Sequence, residues 1–82
     1  MRKVEFTIDG VKGKFSCDAD ELESYRTIKQ FARGEEDPAG LFSAIERVYM
    51  GHDEEYVERV GGMSGLGRLN DAAVEACRAK NS

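Results

Sequence analysis

The sequence predicts an α+β fold that is mostly helical, with an N-terminal β-hairpin followed by three to four short helices. Three observations predict it. Val4, Phe6 and Ile8 alternate with Glu5 and Thr7 ahead of an Asp9-Gly10 pair, the two-residue turn that most readily joins antiparallel strands. After residue 18 the apolar spacing changes from two to three and four, as helices require. Gly34, Pro38, Gly51 and Gly61-Gly62 then punctuate the chain at intervals that leave room only for short helices.

The hairpin is expected over residues 3–17. A two-residue loop sets Ile8 opposite Val11, Phe6 opposite Gly13 and Val4 opposite Phe15, with Glu5 facing Lys14 and Thr7 facing Lys12 on the other side. One face is then apolar and the other polar. A lone two-stranded hairpin is marginal in water, so its Val4, Phe6, Ile8 and Phe15 face needs helical cover from downstream.

Asp18 is the expected N-cap of the first helix, with Glu21 three residues on completing a variant of the capping box. Leu22, Tyr25, Ile28 and Ala32 continue that helix at three- and four-residue steps, and Gly34 takes the left-handed C-cap. The second helix is expected from about Pro38 to Met50, with Asp37 capping it and proline at the first helical position, where its missing N–H costs nothing. Leu41, Phe42, Ile45, Val48 and Tyr49 fall within an arc of about 120° on it, the strongest amphipathic signal in the chain, with Ser43, Glu46 and Arg47 opposite. Gly51 stops it. Asp53 is expected to cap a third short helix that buries Tyr56, Val57 and Val60. The glycine-rich stretch of residues 61–67 reads as a flexible hinge. Beyond it Leu66, Leu69, Ala73, Ala76 and Cys77 mark a final helix with a small-residue face, which buries little area and is expected to be weakly anchored.

At 82 residues the chain is a single domain: hairpin 1–17, helical body 18–62, hinge and C-terminal helix 63–82. With 40% hydrophobic and 34% charged residues, it has enough apolar content for a core and no run of the ~18 apolar residues a membrane span needs. A domain this small buries only about 60–65% of its unfolded surface, so its stability margin is thin unless a partner or a second copy adds to it. The opening Met1-Arg2-Lys3-Val4-Glu5-Phe6 lacks the apolar region of a signal peptide, and two cysteines far apart make no disulfide framework. A reduced, cytoplasmic protein is expected.

The net charge of −4 disfavours electrostatically driven binding to nucleic acid. It is unevenly spread: residues 1–17 hold four bases and two acids, residues 18–62 five bases and twelve acids, and residues 63–82 three bases and two acids. Such a gradient keeps a domain soluble, and it also favours head-to-tail contact between copies.

No catalytic set, metal site or cofactor motif emerges. The single His52 and the distant Cys17 and Cys77 have no zinc spacing. Asp53-Glu54-Glu55 with Glu58 lacks the alternation and central glycine of a calcium loop, and acids at a helix start are explained by its dipole. The glycine-rich stretch has no Gly-Lys-Ser/Thr ending and no strand before it, so it is not a phosphate loop. Phe42, Tyr49 and Tyr56 read as core. Met50 and Met63 lie beside helix ends, away from the apolar arcs, and exposed methionine is a soft contact for a partner helix. Together with Leu66, Leu69, Ala73 and Ala76 of the last helix they are the expected partner-binding residues.

Beyond these readings, the hairpin start, the Asp37-Pro38-Ala39-Gly40-Leu41-Phe42 helix opening, the Tyr49-Met50-Gly51 helix end with Asp53-Glu54-Glu55 after it, and the Ala-rich last helix closing on Ala79-Lys80-Asn81-Ser82 form a recognisable order. Together they resemble the small tail assembly chaperones of long-tailed bacteriophages and prophages. The resemblance implies a non-enzymatic, mostly helical protein that coats the tape measure protein in the bacterial host cytoplasm, keeps it soluble and presents it to the tail tube protein. It also implies self-association and a longer product made by translational frameshifting. The alternative is a small phage or mobile-element regulator that binds a host protein or DNA through a helix-turn-helix. Against it, the expected third helix carries four acids and one arginine over residues 53–60, a charge that repels a DNA backbone.

Overall fold

A computed structural model describes residues 1–81; Ser82 and the side chains of Lys80 and Asn81, within the closing motif noted above, lie outside it. Strands β1 (Lys3–Ile8) and β2 (Val11–Asp18) form an antiparallel hairpin. Helices α1 (Ala19–Leu22), α2 (Tyr25–Ala32), α3 (Pro38–Val48), α4 (Asp53–Arg59) and α5 (Leu66–Asn81) follow, with a single 3-10 turn at Met63–Gly65 before the last. The fold is α+β, as expected, with five helices.

The hairpin closes on Ile8 opposite Val11, but Phe6 pairs with Phe15, Val4 with Cys17 and Lys3 with Asp18. Lys12, Gly13 and Lys14 therefore face Thr7 alone, a bulge that inserts two residues into β2. This corrects the expected Phe6–Gly13 and Val4–Phe15 pairs. A slip of two preserves the inward face, because side chains alternate with period two. The gain is a stacked Phe6–Phe15 pair with ring centroids 5.6 Å apart, where the expected register offered Phe6 only bare glycine backbone.

Arg59 of α4 holds the bulge. Its Nη1 donates to the Lys14 carbonyl at 3.1 Å and its Nη2 to the Lys12 carbonyl at 2.7 Å, while the guanidinium lies 4.0 Å over the Phe15 ring. Gly13 has φ +90°, and a Cβ there would collide with the Arg59 fork, so the position requires glycine. Further along the same edge the Tyr56 hydroxyl accepts the Ser16 N–H at 3.0 Å. Two side chains of α4 thus satisfy the outer edge of β2, which would otherwise expose unpaired backbone groups.

Asp18 caps α1 as expected, accepting from the N–H groups of Asp20 and Glu21. The helix expected to run on from there is broken in two. Ser24 ends the first segment and caps the second, its Oγ accepting the Thr27 N–H at 3.2 Å. This rotates α2 so that Thr27 is fully buried, while Tyr25 and Ile28, expected to be inward, are 77% and 56% exposed. Arg47 of α3 reaches into the joint with hydrogen bonds to Glu21, Thr27, Gln30 and Ser43, so the polar face of α3 is tied to α1 and α2.

Asp37 caps α3 through the Gly40 N–H, with Pro38 in the first turn. The helix ends at Val48, two residues before the expected Met50: Met50 and Gly51 both take positive φ, 54° and 84°, and Gly51 N–H reaches back to the Glu46 carbonyl at 3.0 Å, a Schellman closure. At α4 the cap position is His52, whose side chain makes no capping bond, and Asp53 is the first helical residue.

The last helix is also corrected. Leu69 and Ala73 are fully buried and Cys77 nearly so, and α5 lies along β1, covering the hairpin face of Val4, Phe6, Ile8, Phe15 and Cys17. The small Ala73 and Cys77 allow close approach to the sheet, so a small-residue face here anchors the helix. Ile45, Val48 and Tyr49 of α3 and Tyr56 of α4 complete the core. The stretch before α5 is not loose: a Cβ on Gly65 would overlap the Val60 carbonyl, so the 3-10 turn is pressed against the end of α4.

Candidate functional site

The six residues expected to meet a partner are scattered by the fold. Leu69 and Ala73 are fully buried and Leu66 is 8% exposed, because α5 uses them to cover the hairpin. Ala76 is half-buried beside the same core. Met50 is half-buried at the end of α3. Met63, at 57% exposed, projects from the 3-10 turn.

Met63 stands at the edge of a groove of about 890 Å³ between α3 and α4. Ala39, Phe42 and Val57 add to its apolar surface over a floor of buried Ile45 and Leu66, and Glu46, Asp53, Glu54 and Glu58 form its acidic rim. Each position has a local cause. Phe42 occupies the outer edge of the apolar arc of α3, so when Ile45, Val48 and Tyr49 turn into the core it remains half exposed at 50%. The Schellman end of α3 turns the chain within a few residues, so that residues of α3 and α4 line opposite parts of the groove. Asp53 and Glu54 fall in the first turn of α4, where its dipole favours them, and Glu58 lies one turn beyond Glu54 on the same side.

Among the described residues the one base at this groove, Arg47, is engaged by Glu21, at 3.2 Å, and by three neutral oxygens of α2 and α3. The four rim carboxylates make no ion pair among the described residues, whereas Glu55, also on α4, pairs with Arg59. An apolar channel with unpaired carboxylates along it suits an apolar stripe flanked by cations, and it repels phosphate. Sequence alone does not single out Phe42, because it belongs to a continuous apolar arc; its place at the end of that arc is the available signal. The acids of α4 are visible in the sequence, where the helix dipole is enough to account for them.

Elsewhere, Cys17 and Cys77 are free, buried thiols with sulfurs 3.8 Å apart. Burial, and next the neighbouring Cys77, push the Cys17 thiol up from 9.0 to about 12. Burial likewise pushes the Tyr49 hydroxyl upward, and that hydroxyl donates to Asn70 Oδ1 of α5 at 2.5 Å. His52 stacks at a tilt on Tyr56, 5.8 Å between centroids. Among the described residues no group of three or more His, Cys, Asp or Glu is arranged to hold a metal ion, and no helix is long and apolar enough to cross a membrane. Comparison with protein family models, curated proteins and solved structures returns no match.

Proposed function

We propose that the chain is a non-enzymatic tail assembly chaperone of a long-tailed phage or prophage, acting in the host cytoplasm. In this reading it holds a helical stretch of the tape measure protein in the α3–α4 groove and promotes assembly of the tail tube protein around it. The observation that carries the proposal is the open groove in which exposed Phe42 and Met63 and half-buried Val57 stand over a floor of buried Ile45 and Leu66. A shallow channel of this kind takes the apolar face of a helix, the commonest way one protein holds a helical segment of another. The order of sequence motifs described above supplies the phage assignment, and the acidic rim disfavours the DNA-binding alternative.

Co-expression with tape measure fragments tests the proposal. The wild-type chain is expected to keep such a fragment soluble and to co-elute with it in size exclusion. Phe42→Asp and Met63→Asp, both at exposed positions, should each reduce co-elution at least about tenfold, since each removes a contact of about 1.4 kcal/mol or more. Co-elution that survives both changes would exclude the groove, and failure to retain any fragment, with a tail tube gene and a long coiled-coil gene absent from the genomic neighbourhood, would exclude the chaperone reading itself.

A further inference from the structure

Sixty positions separate Cys17 from Cys77, yet the fold brings their sulfurs to 3.8 Å, within about 2 Å of bonding distance. Cys17 lies on the inward face of β2, fully buried, and Cys77 lies in the second half of α5, 3% exposed. The two are not equally sealed. Cys77 lines a separate, largely apolar cavity of about 550 Å³ between α1, α2 and α5, walled by Leu22, Ile28, Phe31 and Val74, whereas Cys17 forms no part of that wall. Burial pushes the Cys17 thiol up from 9.0 to about 12 and so keeps it protonated. Of the two sulfurs, Cys77 is placed to meet a reagent from solvent and Cys17 is placed to meet Cys77.

We propose that Cys77 is an oxidation site for hydrogen peroxide, and that its oxidised form closes a Cys17–Cys77 disulfide that fastens α5 to the hairpin. The reaction has two stages. The Cys77 sulfur gives up its proton and attacks one oxygen of the peroxide; the O–O bond breaks, and the departing hydroxide takes up that proton, leaving water and a sulfenic acid. The Cys17 sulfur then attacks the Cys77 sulfur, the S–O bond breaks, and the leaving hydroxide carries off the Cys17 proton as a second water. In all, two thiols lose two electrons and two protons, and one peroxide becomes two waters. Hydrogen peroxide suits the apolar cavity because it is uncharged and little larger than water. Neither sulfur is freely exposed, so the first stage is slow and the disulfide answers sustained oxidant. Arg68, which donates to the Asp9 carbonyl, and Asn70, which accepts from Tyr49, tie the first half of α5 to the body. The disulfide adds a covalent tie in the second half, and the long loop it closes is a large constraint on the unfolded chain. Neither cysteine lines the α3–α4 groove, so this inference stands apart from whatever that groove binds.

Peptide mapping and thermal melts of the full chain test it. Fully reduced protein held in millimolar hydrogen peroxide at neutral pH should lose both free thiols, yield a linked Cys17–Cys77 peptide on digestion without reductant, and still run as one chain on a non-reducing gel. Its Tm should lie about 10 °C or more above that of the same sample after reduction with dithiothreitol. With dimedone present, Cys17→Ala should stop at the sulfenic acid and carry the label on Cys77, with no rise in Tm. In Cys77→Ala the buried Cys17 should remain unlabelled at the same dose. The wild-type linkage and Tm are read without either variant, so they decide the matter even where a variant fails to fold. Thiols that survive hours in peroxide, linkage between chains instead of within one, or an oxidised chain that melts no higher than the same sample after reduction would each overturn the proposal. Label on Cys17 of Cys77→Ala, with none on Cys77 of Cys17→Ala, would overturn the assignment of Cys77 as the oxidation site.

Discussion

Met50 sits in the left-handed region at φ 54°, where a side chain with a Cβ costs about 1–2 kcal/mol that glycine avoids. The next residue, Gly51, is also at positive φ, 84°, and the Schellman hydrogen bonds, Gly51 N–H to the Glu46 carbonyl and Met50 N–H to that of Arg47, place the first left-handed residue at Met50. Met50→Gly should therefore stabilise the domain by about 0.5–1 kcal/mol after allowing for the greater freedom of glycine in the unfolded chain. In a domain of this size that raises Tm by about 2–8 °C in a thermal melt. A lower Tm would mean that packing of the half-buried Met50 side chain outweighs its backbone strain. At this scale the sequence was partly legible: the Asp18 and Asp37 caps and the Pro38 start were all readable. Ser24 was not, since the residue three positions on is Thr27 and a capping box needs Glu or Gln there.

The connection between α4 and α5 shows what glycine-rich sequence conceals. From composition alone it is a hinge; in the structure Gly65 is pressed against the Val60 carbonyl while Gly67, inside α5, has open space around it. Gly65→Ala should destabilise the domain by more than about 1 kcal/mol, because backbone must move to admit the methyl group. Gly67→Ala should instead stabilise it by up to about 1 kcal/mol, the helix propensity difference. Equal tolerance of both in urea denaturation would restore the hinge reading. The hairpin was legible in its faces and in its turn, and illegible in its register. Two inserted residues leave the alternation intact, and the residue that selects the bulge, Arg59, lies 45 positions from Lys14. The break between α1 and α2 was hidden in a similar way, since Leu22 and Tyr25 keep a helical spacing across it. The candidate groove was legible as ingredients, Met63 and the acids of α4, but not as a place. Its formation depends on which edge of the α3 arc faces out.

For the whole molecule, α5 and the hairpin are joined through Cys17 and Cys77, and this junction should respond to alkali. In the unfolded chain the Cys17 thiol ionises near 9.0, and in the native chain near about 12. Between these values the unfolded state holds fewer protons, so the stability present below pH 9 is lost as pH rises, at up to about 1.4 kcal/mol per pH unit for one such group. The upward shift of Tyr49 acts in the same direction. Urea midpoints should be level from pH 7 to about 8.5 and decline above pH 9, with a shallower decline in Cys17→Ala. A level profile up to pH 11 would mean that the native thiol ionises as freely as the unfolded one. The placement of α5 along β1 also sets the order of events during synthesis. The hairpin is made first, but its apolar face is closed by a helix that begins about fifty residues after β2 ends. At ribosomal speeds of about 5–20 residues per second, Phe6, Ile8 and Phe15 spend roughly 3–10 s without their eventual cover. Nascent chains crowded on one message could meet through that face before any of them is finished, and a slower codon run after β2 would lengthen the risk.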